Sequence, residues 1–146
     1  MDKLTSLLSV FPSGKAATII VGHALLTKVL MTALFRLKLT GGSTPEAECA
    51  KVTKSQFYRR VWSAQLNEAE YASLFAAVLL YLDAKGVAAP LASTLAAGGQ
   101  IGYYWLRAFV GHSHEGGVDP PPYVPFAVAR YVALGLLVQE LRGLTF

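Results

Sequence analysis

The sequence predicts an all-α integral membrane protein: a bundle of four transmembrane helices in up-down-up-down order, with no soluble globular domain. Three observations predict it. Of the 146 residues, 53% are hydrophobic and 15% charged, whereas soluble domains carry about 25% charged residues. Four stretches approach the roughly 20 apolar residues that a membrane helix needs. The segments between them are short, polar or rich in glycine and proline, and the tightest turns make successive helices antiparallel neighbours.

The first stretch covers residues 11–39 and contains His23 and Lys28. Residues 1–11 form no convincing signal peptide: Lys3 is a weak basic start, and Pro12 breaks the run before any small-residue cleavage site. The second stretch is continuously apolar over 71–82, and its helical pattern reaches back to Gln56. The third, 87–106, is free of charge and opens near Pro90, where proline is tolerated. The fourth covers about 122–141 and contains Arg130. Helices are therefore expected at about 11–39, 56–83, 87–110 and 122–142, all in one domain. Residues 41–54 read as a polar loop, 83–86 as a tight turn, and 111–122 as a loop with three glycines and three prolines. Gly98 and Gly102 form a G-x-x-x-G pair, which lets helices approach closely, within the bundle or between subunits.

Lysine and arginine set orientation. Arg36, Lys38, Lys51, Lys54, Arg59, Arg60 and Arg107 fall on the side of the first and third loops; Lys3, Lys15, Lys85 and Arg142 fall on the other. This bias puts the first loop in the cytoplasm. The net charge of +4 is dispersed rather than clustered, which speaks against nucleic-acid binding. The single cysteine, Cys49, excludes an internal disulfide and has no evident activating partner. His112 and His114, with Glu115 beside them, are too few ligands for a metal site.

The most informative stretch is 60–71, R-V-W-S-A-Q-L-N-E-A-E-Y. At about 100° per residue, Arg60, Ser63, Asn67, Glu70 and Tyr71 share one face, and Gln65 points nearly opposite. Polar groups at membrane depth face the bundle interior or a water-filled cavity. A cation, an amide and a carboxylate on one stripe suit a small zwitterion. The competing reading is a solvated helix end leading into a buried core, and it is the better one for Arg59, Arg60 and Glu68 taken alone. Lys28 and Arg130 are expected to pair with Glu70, Asp83 or each other, or to snorkel.

The pattern Arg60-(x)3-Ala64-Gln65-x-Asn67-(x)2-Glu70-Tyr71 resembles the second-helix signature of the membrane-associated proteins in eicosanoid and glutathione metabolism. That family includes microsomal glutathione transferases and the 5-lipoxygenase-activating protein. Phe35-Arg36-Leu37-Lys38, and Arg107-x-Phe109-Val110-Gly111 with Pro121 and Tyr123 beyond it, are similar to other parts of the family pattern. The resemblance implies a homotrimer in an intracellular membrane such as the endoplasmic reticulum, with glutathione as co-substrate and a lipophilic second substrate. It implies glutathione contacts from Asn67, Glu70 and Tyr71, with Arg60 and His112 beside them, and from Gln65 and Arg36 of the adjacent subunit. The departures point elsewhere. Ser63 stands where the family's enzymes have an arginine for a glutathione carboxylate. Ala108 and His112 stand at two positions that are usually aromatic or imidazole. The thiolate-stabilising arginine before the fourth helix has no counterpart, since no arginine or lysine lies between Arg107 and Arg130 and the aligned position falls near Asp119. Arg130 lies two to three turns further along and is expected to be too deep to replace it, so no catalytic residue is assigned. Two functions are consistent with this pattern: a glutathione-dependent transferase or peroxidase acting on lipophilic electrophiles, or a non-catalytic protein that binds a lipid or a partner, including a structural subunit of a larger membrane complex.

Overall fold

The computed structural model describes residues 12–36, 39, 45–110 and 120–145. The start of the chain, the glycine-rich breaker at 41–44 and the segment 111–119 lie outside them. The described chain is all-α. Helix α1 is Ser13–Met31, α2 Glu46–Lys54, α3 Gln56–Ala84, α4 Pro90–Trp105 and α5 Val124–Thr145. Both α1 and α4 run on into a five-residue π-helical turn, at Thr32–Arg36 and Leu106–Val110.

Local chemistry explains the ends. The Ser55 hydroxyl accepts the Tyr58 N–H at 3.2 Å and caps α3. At its other end, Gly86 adopts φ +69°, and the N–H groups of Gly86 and Val87 reach the carbonyls of Asp83 and Leu82 at 2.9 Å. This is a Schellman closure, which favours glycine at the left-handed position. Pro90 opens α4, where the missing N–H costs no helical bond. Helix α2 corrects the loop expected over 41–54. Glu46 and Glu48 sit in its first turn and Lys51 and Lys54 in its last, each matched to the helix dipole. None of its residues is buried.

Among the described residues, two helices are long and apolar enough to cross a membrane: Ser13–Phe35, of 23 residues, and Val124–Leu144, of 21. The other two expected spans fall short of that standard. Regular α-helix in α4 is only 16 residues long. The polar residues of 59–70 and Asp83 leave α3 too short an apolar run.

Helix α1 packs on α3 and α4, and α4 packs on α5. At one end of the bundle, Ala16, Ile20, Phe75, Leu79, Ala92, Ala96, Ala133 and Leu137 form a core to which all four long helices contribute. At the other end, Met31, Val61, Ala64, Tyr104 and Ala108 form a smaller one. The close contact of α4 with α5 runs through Gly99 and Gly102. A β-carbon on Gly99 would stand 3.1 Å from the Arg130 nitrogen, and one on Gly102 would overlap the Phe126 ring. Gly98 opens onto free space, so the packing pair is shifted from the G-x-x-x-G pair expected.

The outward faces of α1 and α5 carry many exposed apolar side chains. Val21, Leu25, Leu26, Val29 and Leu30 on α1 are exposed, with Val29 at 64%, as are Val128, Val132 and Val138 on α5. The interior holds polar groups between the two cores. Thr27 on α1, Glu68 on α3, Gln100 on α4 and Arg130 on α5 are all buried.

Candidate functional site

Helix α3 presents two polar faces, and each meets a different partner. The first carries Ser63, Asn67 and Tyr71, spaced by four residues. Asn67 Oδ1 accepts a hydrogen bond from Arg130 Nη2 at 3.0 Å. The Arg130 guanidinium lies 3.6 Å from the Tyr71 ring centroid and 4.3 Å from that of Tyr103, a stacked arrangement that favours a cation. One turn toward the π-helical end, Arg107 Nη2 donates to Ser63 Oγ at 2.7 Å, and its Nη1 donates to the Tyr103 hydroxyl. Arg107 also lies over the Tyr123 ring, at 5.6 Å. The Tyr71 and Tyr131 hydroxyls meet at 3.3 Å.

This arrangement corrects the pairing expected for Arg130. Its partners are an amide and two aromatic faces rather than Glu70, Asp83 or Lys28. Asp83 instead accepts the Gly14 N–H at 3.0 Å, and Lys28 lies exposed on α1. Arg130 is only 3% exposed, and its Nε has no hydrogen-bond partner among the described residues. Among those residues no carboxylate lies within ion-pair distance of Arg107 or Arg130. A buried cation needs a counter-charge or hydrogen bonds to offset its lost hydration. Two guanidinium groups flanked by an amide and phenols are a donor set of the kind that stabilises a carboxylate or thiolate. A nearby cation also holds a thiol in its nucleophilic, deprotonated form.

The second face of α3 looks toward α1. Gln65 Nε2 donates to the Thr27 carbonyl at 3.0 Å. Glu68 is 3% exposed; its Oε2 accepts the Thr27 hydroxyl at 2.5 Å, and its Oε1 lies 2.5 Å from His23 Nδ1. Gln100 Nε2 on α4 reaches the Glu68 backbone carbonyl at 3.3 Å. The solvated role expected for Glu68 is thus overturned. Its position gives a signal that the polar stripe obscured: Val61, Ala64, Ala72, Phe75, Leu79 and Leu82 are buried at three- and four-residue spacings, and Glu68 occupies the polar position within that series. A groove of about 550 Å³ runs along this face between α1 and α3. Leu25, Met31, Phe35, Tyr58, Trp62 and Leu66 supply apolar walls, and Lys28, Gln65 and Glu68 supply the polar groups.

The remaining sequence candidates do not join the contacts of Arg107 and Arg130. Arg60 Nη1 donates to the Val110 carbonyl at 3.0 Å and so joins α3 to the end of the π turn. Glu70 is exposed. Arg36 belongs to the π turn that ends α1; its side chain, like His112 and Asp119, lies outside the described residues. The structure therefore brings Asn67 and Tyr71 together, puts Gln65 on the opposite side as the helical arithmetic requires, and adds Arg107, Arg130 and Glu68. Among the described residues no cluster of three or more potential metal ligands occurs. Compared with protein-family models, with curated proteins and with solved structures, the chain finds no match in any of the three.

Proposed function

We propose that the chain is a membrane-embedded bundle of four helices that holds glutathione on the Ser63–Asn67–Tyr71 face of α3, as a transferase- or peroxidase-like protein acting on lipophilic electrophiles. The observation that carries the reading is the pair of arginines. Arg107 reaches the position where the resembled enzymes carry a carboxylate-binding arginine, and Arg130 supplies a second, buried cation at Asn67 and Tyr71. Together they offer sites for a carboxylate and a thiolate of the tripeptide. Exposed apolar side chains on α1 and α5, set around buried Thr27, Glu68, Gln100 and Arg130, support embedding in a bilayer, where apolar groups face lipid and polar groups face inward.

Calorimetry of the detergent-solubilised protein with glutathione tests this. The wild type is expected to bind, and Arg130→Gln to bind about tenfold more weakly, the equivalent of one lost charge-assisted hydrogen bond. Absence of heat with the wild type overturns the glutathione site. Binding without ultraviolet thiolate absorbance at neutral pH reduces the protein to a binder. The groove between α1 and α3 favours a second reading, a lipophilic-ligand protein without catalysis, since its volume and mixed lining suit an organic molecule.

A further inference from the structure

Two charged side chains of opposite sign stand exposed among apolar ones. Lys28 lies on α1 with Leu25, Val29 and Leu30 exposed around it, and Glu70 lies on α3 between exposed Leu66 and Leu74. Both stand between the ends of the bundle. Gly14 meets Asp83 at one end and Phe35 meets Tyr58 at the other, so α1 and α3 run antiparallel with Lys28 and Glu70 inside that interval. His23 and Thr27 both reach Glu68, which sets Glu70 roughly one turn nearer the start of α1 than Lys28. Within the chain the two charges do not meet: neither joins an ion pair among the described residues. Lys28, Ala69 and Ser73 line the groove between α1 and α3, whereas Glu70, turned about 100° from Ala69, stands outside that lining. Lysine can snorkel on its long stem, but Glu70 is midway along α3 on a short one.

We propose that a second copy of this chain covers these faces, with Lys28 of each copy paired to Glu70 of its neighbour. Charge complementarity selects this occupant. A bare ammonium or carboxylate facing lipid is costly, and ionisable groups at membrane depth pair with one another. Each chain carries one of each sign, both exposed and both unmatched. A copy alongside matches both at once, whereas a lipid tail or an uncharged helix matches neither. The lean of the side chains agrees with this. Cβ bonds tilt toward the N-terminus of their own helix. Because α1 and α3 are antiparallel, Lys28 leans toward the level of Glu70 and Glu70 toward that of Lys28, so the two converge between parallel copies. The inference takes from the embedding proposed above the cost of leaving the charges bare. It is independent of glutathione on the Ser63–Asn67–Tyr71 face.

Charge reversal tests the pair, read as light-scattering mass in detergent after subtraction of bound detergent. The wild type, extracted from alkali-washed membranes, is expected to have a fixed multiple of the mass of one chain. Lys28→Glu alone and Glu70→Lys alone each set like charges against one another and are expected to weaken association about tenfold or more. The double variant Lys28→Glu/Glu70→Lys restores the pair with its signs exchanged and is expected to regain the wild-type mass. Both positions are exposed, so the helical circular dichroism of all four proteins is expected to be the same. A wild type with the mass of one chain overturns the proposal and leaves the two charges to lipid. Single reversals that keep the wild-type mass overturn it, and so does a double variant that stays dissociated, helical or not. A chain missing from the washed membranes counts against the embedding instead, and the same series on the soluble fraction then decides the pairing.

Discussion

Arg130 shows how one side chain can change the reading of a site. It is buried, stacked between Tyr71 and Tyr103, and bonded to Asn67. Lysine keeps the charge but loses the planar stack and the forked donors. Arg130→Lys is therefore expected to weaken glutathione binding by about tenfold, close to the loss in Arg130→Gln, as calorimetry would register. Ser63→Arg restores the residue type of the resembled enzymes, yet Arg107 already donates to Ser63 Oγ. A second guanidinium there meets like charge, so this variant is expected to bind glutathione no more tightly than the wild type, and tighter binding would refute the placement. Glu68 is the other decisive residue. Glu68→Ala removes the partner of both His23 and Thr27 and is expected to destabilise the bundle by about 3 kcal/mol. Glu68→Gln, which can still accept the Thr27 hydroxyl, is expected to cost less, by unfolding in detergent.

At the level of the helix, close approach of α4 to α5 gives a paired test. Gly102→Ala puts a β-carbon into the Phe126 ring and is expected to lower stability by about 1–3 kcal/mol. Gly98→Ala meets nothing and is expected to be neutral or to gain up to about 1 kcal/mol from helix propensity. Thermal unfolding of the two variants side by side separates them. The long helices were legible in the sequence because apolar runs and breakers mark them. The expectation for 56–83 meets an observed Gln56–Ala84, and Pro90 rather than Val87 opens the next helix. Helix α2 was not legible, since a surface helix with no buried residue leaves no periodic apolar stripe. The facing of Asn67 and Tyr71 came from the 100° step. Their partner did not, because the level at which Arg130 passes α3 depends on how deeply α5 settles onto Gly99 and Gly102, and no single-helix pattern encodes that.

Across the described molecule, large apolar side chains are exposed on α1 and α5 and several polar ones are buried between the helices. Leu25, Val29, Val128 and Val138 face outward while Glu68, Gln100 and Arg130 lie within. The full chain is expected to sediment with membranes, to resist alkaline and high-salt washes, and to be released by detergent; recovery in the salt wash would refute embedding. The π turn at Thr32–Arg36 carries a further consequence for the molecule as a whole. A wide turn accommodates an extra residue in the winding, so it acts as a phase adjuster between α1 and its own last residues. Deleting Ala33 would remove the residue that the wide turn absorbs and let the segment relax to ordinary α winding with Phe35 in nearly the same phase, still toward Phe57 and Tyr58, whose rings it meets at 5.9 and 5.1 Å. The groove between α1 and α3 would then keep the Phe35 wall, whereas converting the turn to α winding without a deletion would rotate that wall away although every residue of α3 was unchanged.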